Sequence, residues 1–230
     1  MAYVEIHSLN KELKKKTVLN QITASFEQGK IYGLYGRNGC GKTMLLRAIA
    51  GLIYPTSGKI IVGGKELHKD ISFPESVGVI IENTSLLPQF DAYTNLKHLA
   101  EIKKIATEKD IQRALERVGL ADEKKKVRAY SLGMRQRLAI AQAIFEKPEL
   151  LLLDEPTNAL DEESVEKIRD VLLEEKQRGA AIILASHDKE DMKYLCDEVV
   201  YMADGKFVVE RAQESEVQDT RNIEINYLLC

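Results

Sequence analysis

Cysteine is scarce in this chain, and the three present, Cys40, Cys196 and Cys230, are odd in number and far apart. That spacing excludes a disulfide framework and a clustered zinc site, and it points to a reducing compartment. A run of about 18 uncharged apolar residues is also missing, so the chain is not expected to cross a membrane by itself. The opening MAYVEIHSLNKELKKKTVL alternates and then turns lysine-rich, without the apolar core or small-residue cleavage site of a signal peptide. A cytoplasmic location is the simplest expectation. Excess positive charge is absent too: 33 Lys and Arg against 36 Asp and Glu leave a net charge of -3, so nucleic acid is not an expected partner. No internal repeat or low-complexity segment is found, and the lysine runs Lys14 to Lys16 and Lys124 to Lys126 read as solvated turns.

What is there suits one large domain with room for an inserted subdomain: 230 residues, 44% hydrophobic and 30% charged. Tyr3 to His7 and Val18 to Phe26 alternate like half-buried strands, and Lys59 to Val62 followed by Gly63-Gly64 reads as a hairpin, which together predict an antiparallel flank. Ile31 to Tyr35, Val77 to Ile81, Leu150 to Leu153, Ala181 to Ala185 and Glu198 to Met202 are short apolar runs of the kind found in a sheet covered on both faces. From Asn95 to Phe145 the pattern turns helical, with candidates at Asn95 to Ile105, Asp110 to Val118 and Leu132 to Phe145, and Pro148 closes the segment. The expected organisation is a single domain over 1–230, with a core of 1–82 and 147–230 and a helical insertion at 83–146.

GRNGCGKT, Gly36 to Thr43, follows the run Ile31 to Tyr35 and opens a predicted helix, Lys42 to Ala50. It fits the phosphate-loop pattern G-x-x-x-x-G-K-[ST], which composition alone would produce in roughly one chain in a hundred of this length. The glycines let successive backbone N–H groups turn toward an anion, and the helix N-terminus adds its partial positive charge. Lys42 would reach the outer phosphates and Thr43 would ligate magnesium. Gly36, Arg37, Asn38, Gly39, Cys40, Gly41, Lys42, Thr43 and Met44 are therefore the expected nucleotide cradle. Cys40 lies inside it; a bulky alkyl group there would block binding, although a buried, inert thiol is the expected state. A triphosphate site also needs a carboxylate for the metal and a way to activate water, and Leu150 to Leu153 lead into Asp154 and Glu155. Asp154 would hold magnesium through water, and Glu155 would act as general base or orient the attacking water.

Two further stretches, Tyr130-Ser131-Leu132-Gly133-Met134-Arg135-Gln136-Arg137 before a helix and Ala185-Ser186-His187-Asp188 after a strand, complete an ordered set of motifs. In that order the sequence resembles the ATP-binding-cassette (ABC) ATPases over essentially its whole length: phosphate loop, a loop at Glu82, signature around Ser131 and Gly133, LLLLDEP, the loop Asn158 to Asp161, and His187. The resemblance implies an α/β fold, a P-loop NTPase (RecA-like) core with a mainly parallel sheet, an antiparallel β flank and an inserted α-helical subdomain. It also implies ATP and Mg2+ as cofactors and a homodimer formed on ATP binding, in which Ser131 and Gly133 of one copy close over the nucleotide of the other, with Asp161 also counted among the nucleotide-binding residues. His187 would contact the γ-phosphate within the same subunit.

Three departures from the family pattern carry expectations of their own. Leu13 stands where an aromatic residue often stacks on adenine, so base recognition should be weak. Glu82 replaces the usual glutamine and would bind magnesium more strongly than an amide. The signature reads YSLGM, keeping Ser131 and Gly133 but losing a glycine and a glutamine to Leu132 and Met134. The Glu82 and SLGM variants are similar to exporter ATPases of bacitracin and lantibiotic resistance or immunity, which implies a separate integral membrane permease as partner and a peripheral position on the cytoplasmic face. Leu86 to Phe90 either docks that partner or is a buried connection. Ile223 to Leu229 either caps the fold or meets a partner. The alternative is a soluble ABC ATPase of iron–sulfur assembly or a DNA-clamp head, the latter needing a long heptad insertion that this chain lacks. A GTPase or small-molecule kinase would leave Ser131 and His187 unexplained.

Overall fold

The computed structural model describes residues 2–82 and 86–208; the stretch Ile223 to Leu229 lies outside them. Two long strands, β1 (Ala2–Leu13) and β2 (Lys16–Glu27), pair antiparallel through a turn at Lys14 and Lys15. After them come β3 (Ile31–Tyr35), α1 (Lys42–Ile49), β4 (Ser57–Val62), β5 (Lys65–Glu66) and β6 (Val77–Ile80). The Gly63-Gly64 hairpin expected from sequence joins β4 to β5, and the four antiparallel strands lie in the order β2-β1-β4-β5. Between β6 and β7 (Leu150–Asp154) stand three helices, α2 (Ala92–Lys103), α3 (Glu108–Arg117) and α4 (Leu132–Ile144). Each starts with a side-chain cap, Asp91, the Thr107–Asp110 capping box and Ser131, which takes up N–H groups that a helix start cannot bond internally. The chain then runs through α5 (Glu162–Gln177), β8 (Ala181–Ser186), α6 (Lys189–Leu195), β9 (Glu198–Ala203) and β10 (Lys206–Val208).

The second sheet has the order β10-β9-β3-β8-β7-β6, parallel except for the β9–β10 pair. Side chains alternate across it. Leu150 and Leu152 of β7 join the apolar cluster formed with β1, β2, β4 and α1, while Leu151 and Leu153 join the one formed by α2 to α6. All four are at most 1% exposed, and at about 1.5–3 kcal/mol per buried leucine this strand alone contributes several kcal/mol to each layer's cohesion. That double burial is why the run shows no polar alternation.

β3 matches the sequence expectation, and the starts of α1 and α4 fall where their motifs placed them. Helix α2 begins three residues before the expected Asn95, because Asp91 caps it and the Asn95 side chain turns back to bond the main chain at Leu87 and Asp91. Helices α5 and α6 were not anticipated. Five glutamates and an aspartate interrupt the apolar spacing of α5, which shows inward only through Ile168, Val171, Leu172 and Glu175. Two lysines, a glutamate and an aspartate take four of the seven residues of α6.

Candidate functional site

Parallel pairing brings the chemistry to one edge of the sheet. Tyr35 pairs with Ser186, Asp154 with Ala185 and Ile80 with Leu153, so Gly36, Glu155, His187 and Glu82 leave the carboxyl ends of β3, β7, β8 and β6 side by side. That edge is where open parallel sheets bind ligands.

The loop from Gly36 to Gly41 feeds α1 through Gly41 at φ 118°, a backbone state that a side chain would strain, and Gly41 O accepts the Leu45 N–H at 2.9 Å. Lys42 is buried at 6% exposure; its Nζ donates to Gly36 O at 2.6 Å and Arg37 O at 3.4 Å. The Thr43 hydroxyl donates to Asp154 Oδ2 at 2.7 Å. Burial raises the Asp154 pKa above the usual carboxylate range and the nearby Glu155 charge adds to the effect, while the Thr43 hydrogen bond opposes it. Val18, Asn38, Gly39, Gly41, Lys42, Thr43, Met44, Asp154 and Glu155 line a pocket of about 230 Å³. A larger cavity of about 660 Å³ on the other side of the loop is lined by Gly36 to Cys40, His187, Tyr35 and the β9–β10 turn region.

A glycine-rich loop ending in a buried ammonium at a helix start fits a polyphosphate. A hydroxyl and a carboxylate oxygen in contact beside it are the hard donors that magnesium takes. The Cys40 thiol is buried at 8% exposure and the Cys40 carbonyl accepts from Gly205 N–H, in line with a packed rather than reactive cysteine.

Glu155 sits just past β7 with φ 50°, in the left-handed region, and its N–H donates to Ala185 O at 2.8 Å. Its carboxylate receives a hydrogen bond from His187 Nδ1 at 2.8 Å, and the His187 side chain is 63% exposed. The expected base and the expected γ-phosphate contact therefore touch. Glu82, also left-handed at φ 56°, is ion-paired with Arg47 of α1 at 2.6 Å. Its carboxylate is thus engaged by a cation of the chain itself, which no sequence signal foretold.

Ser131 Oγ accepts from Met134 N–H at 3.2 Å at the head of α4, and a Cβ on Gly133 would lie 3.0 Å from Ala159 O. Asp161 caps α5, accepting from Ser164 N–H at 2.8 Å, a bond that holds its pKa down. Signature and Asn158-to-Asp161 loop are neighbours within the chain, and Ser131, Gly133 and Asp161 line neither cavity at the phosphate loop. Leu13 does not line them either: it is 43% exposed at the β1 end of the hairpin, and Val18 is the β2 residue on the pocket wall. Leu87 is 39% exposed, with Pro88 and Gln89 also exposed, so Leu86 to Phe90 is not a buried connection. Sequence reasoning also missed a buried network behind the site, in which Asp191 accepts from Thr157 and, at 3.0 and 2.7 Å, from Arg169. Thr157 follows the LLLLDEP run directly, but its partners lie 34 and 12 residues on and share no spacing that marks them.

Known proteins resemble this chain in sequence and fold. The ABC transporter family model matches residues 19–158, from the second strand through the Asp154–Glu155 pair. The ABC transporter ATP-binding protein YybJ of Bacillus subtilis (strain 168) is 60% identical over 204 residues, 88% of this chain and 94% of that protein. The lantibiotic transport ATP-binding protein SrtF of Streptococcus pyogenes is 34% identical, covering 96% and 94% of the two chains, and the bacitracin transport ATP-binding protein BcrA of Enterococcus faecalis is 39% identical, covering 91% and 70%. A solved ATP-binding subunit of an ABC transporter superposes with a TM-score of 0.80 at 25% identity, over 89% of this chain and 88% of that one. With the phosphate loop, Asp154, Glu155 and His187 gathered on one sheet edge and family likeness running through them, the chain belongs to the ABC transporter ATPases, as an ATP-binding and ATP-hydrolysing subunit.

Proposed function

We propose that two copies of this chain close head to tail on Mg-ATP and so drive export of an antimicrobial peptide or related antibiotic through a separate membrane protein. The observation that carries the dimer is that Ser131, exposed at the N-terminus of the 13-residue helix α4, lines neither of the chain's own phosphate-loop cavities, with Leu132 67% exposed beside it. A helix start placed there can meet an anion held by another molecule. The export reading is supported by the names of SrtF and BcrA, and among the described residues no helix is long and apolar enough to cross a membrane. The chain would act on the cytoplasmic face, with 83–146 as the inserted unit that docks the permease and the exposed Leu87-Pro88-Gln89 beside Glu82 as part of that contact.

Magnesium, held by Thr43 and Asp154 with Glu82 joining them, would supply charge neutralisation on the phosphates. Lys42 binds and orients the outer phosphates, Glu155 takes a proton from the attacking water, and His187 holds the Glu155 carboxylate in place at 2.8 Å while facing the γ-phosphate. Closure adds contacts that exist only across the dimer, and hydrolysis removes them, which is the work delivered to the permease. Purification of the chain from membranes with its integral partner, identified by mass spectrometry, tests the reading. Recovery without any integral protein would overturn it.

Two departures from the family pattern give measurable results. Replacing Glu82 by Gln gives up an exposed ion pair worth at most about 1 kcal/mol, so stability holds. The magnesium concentration for half-maximal hydrolysis should rise severalfold, and an unchanged titration would remove Glu82 from the metal site. Leu13, aligned where the family often has a stacking ring, is aliphatic and lies outside both cavities, and loss of about 1 kcal/mol of base recognition predicts ATP and GTP turnover within roughly fivefold of each other. Strict ATP use would contradict this.

A further inference from the structure

Glu155 is held in an unfavourable backbone state. Its φ of 50° is left-handed, it has a full side chain, and proline follows it, which restricts the preceding residue toward extended conformations. Such a geometry persists only where surrounding groups over-determine it. Its N–H is fixed to Ala185 O of β8, but Pro156 has no N–H with which to anchor the next peptide.

On the carbonyl side Glu155 O accepts from the Asn158 N–H at 3.2 Å, and one side chain supplies the rest of the restraint by holding both carbonyls of the junction. Gln136, on the second turn of α4, donates its side-chain amide to Glu155 O at 3.2 Å and Pro156 O at 2.9 Å. One planar NH2 group thus grips two successive carbonyls across the Glu155–Pro156 junction, using both of its donors. The sequence shows Gln136 inside the signature stretch Tyr130 to Arg137 but gives it no partner.

We propose that Gln136 is a positioning residue for hydrolysis, clamping the Glu155–Pro156 peptides so that the Glu155 carboxylate stays aimed at the reacting water, and that this clamp links α4 to the base. The inference rests on the reading of Glu155 as general base. Gln136 does not touch substrate. It lies five residues, about 7.5 Å along the helix axis, from Ser131 at the head of the same helix. A shift of α4 when Ser131 and Gly133 engage the nucleotide of the opposite copy is therefore delivered to the Glu155 carbonyl of this copy, so that each chain's base answers to its signature being docked. The coupling element is a contiguous contact of helix, amide and strained peptide.

The test uses the full chain with four variants, Gln136→Met, Gln136→Lys, Glu155→Gln and the Gln136→Met/Glu155→Gln pair. Steady-state hydrolysis, affinity for a fluorescent ATP analogue and the thermal midpoint are read for each. Methionine keeps the length of glutamine but has no donor, and lysine keeps a donor. Gln136→Met is expected to lower kcat about 10- to 100-fold, the scale of a misplaced catalytic group, with nucleotide affinity and thermal midpoint held. Gln136→Lys should return kcat to within about threefold of the parent, because a donor again reaches the carbonyls. In the Glu155→Gln background the methionine change should cost nothing further, since both act through one group. Parent kcat in Gln136→Met with Glu155→Gln inactive would overturn the clamp and leave the base reading standing. Parent kcat in Glu155→Gln would overturn the base reading and the clamp with it. Equal losses in the methionine and lysine variants, together with lowered thermal midpoints, would show a packing role and overturn the proposal.

Discussion

A Glu155→Gln variant is expected to bind ATP with parental affinity, to hydrolyse it at least about 100-fold more slowly, and to accumulate as a dimer in Mg-ATP. The magnitude follows from the usual contribution of a positioned general base, about 10² to 10⁴ in rate. Affinity should be spared because Glu155 lies at the rim of the phosphate-loop pocket, whereas the phosphates are met by the loop amides, Lys42 and Thr43. A fall in kcat without a rise in KM is the signature of an interaction made only in the transition state. Substitution keeps the shape of the side chain, and its amide oxygen can still accept from His187 Nδ1, so local geometry should be preserved. Sedimentation or light scattering with and without Mg-ATP reads the dimer, and single-turnover hydrolysis reads the rate. Parental turnover would remove the base role, and a monomer saturated with nucleotide would remove the composite site.

The second large effect is on stability. Gly78 lies in the middle of β6, and the carbonyl oxygen of Ala143, near the end of α4, is seated where its Cβ would be, with a Leu151 methyl close by. A side chain at position 78 must push a helix backbone off the sheet, and backbone cannot swing aside as a flexible side chain can. Overpacking typically costs 1–3 kcal/mol, and a clash with main chain belongs at or beyond the top of that range. Gly78→Ala is therefore expected to destabilise the fold by about 3 kcal/mol or more, lowering the thermal midpoint by roughly 6–12 °C for a chain of this size. Gly78→Val should be worse. Thermal unfolding followed by circular dichroism measures both, and an unchanged midpoint would mean that α4 does not sit on this strand. Activity of any folded remainder should fall too, since α4 carries Ser131 at its other end and Gln136 between.

These two sites differ in how far the sequence discloses them. Glu155 is legible because its neighbours declare it: four leucines buried in a two-faced strand, then two acids at the point where the strand must leave the sheet. The phosphate loop is legible for the same local reason, a strand, a run of glycines and a helix in direct succession. Gly78 reads only as one more small residue in an apolar run, because the helix that needs it is 65 residues away in sequence. Arg47 and Asp191 are silent for the same cause, and Gln136, although inside the signature stretch, gives no sign of its grip on Glu155 and Pro156. Each has a partner on a different element, and no spacing along the chain announces it. Helix α5 was missed although it is the longest, because its apolar face is narrow and acids crowd the rest.

The sequence by itself determined the class of fold, the order of the motifs and the kind of chemistry, because those depend on periodicity and on residue types at short range, where covalent spacing enforces proximity. It also placed Cys40 in the loop, but it put Leu13 at the base-stacking position, and Leu13 lines neither cavity. Only the tertiary structure decided that Glu82 pairs with Arg47, that His187 holds Glu155, that Val18 rather than Leu13 lines the pocket, and that Ser131 faces outward. Those facts follow from strand register and helix packing, which are set by the burial of two whole apolar layers against one sheet, and no short segment carries that information.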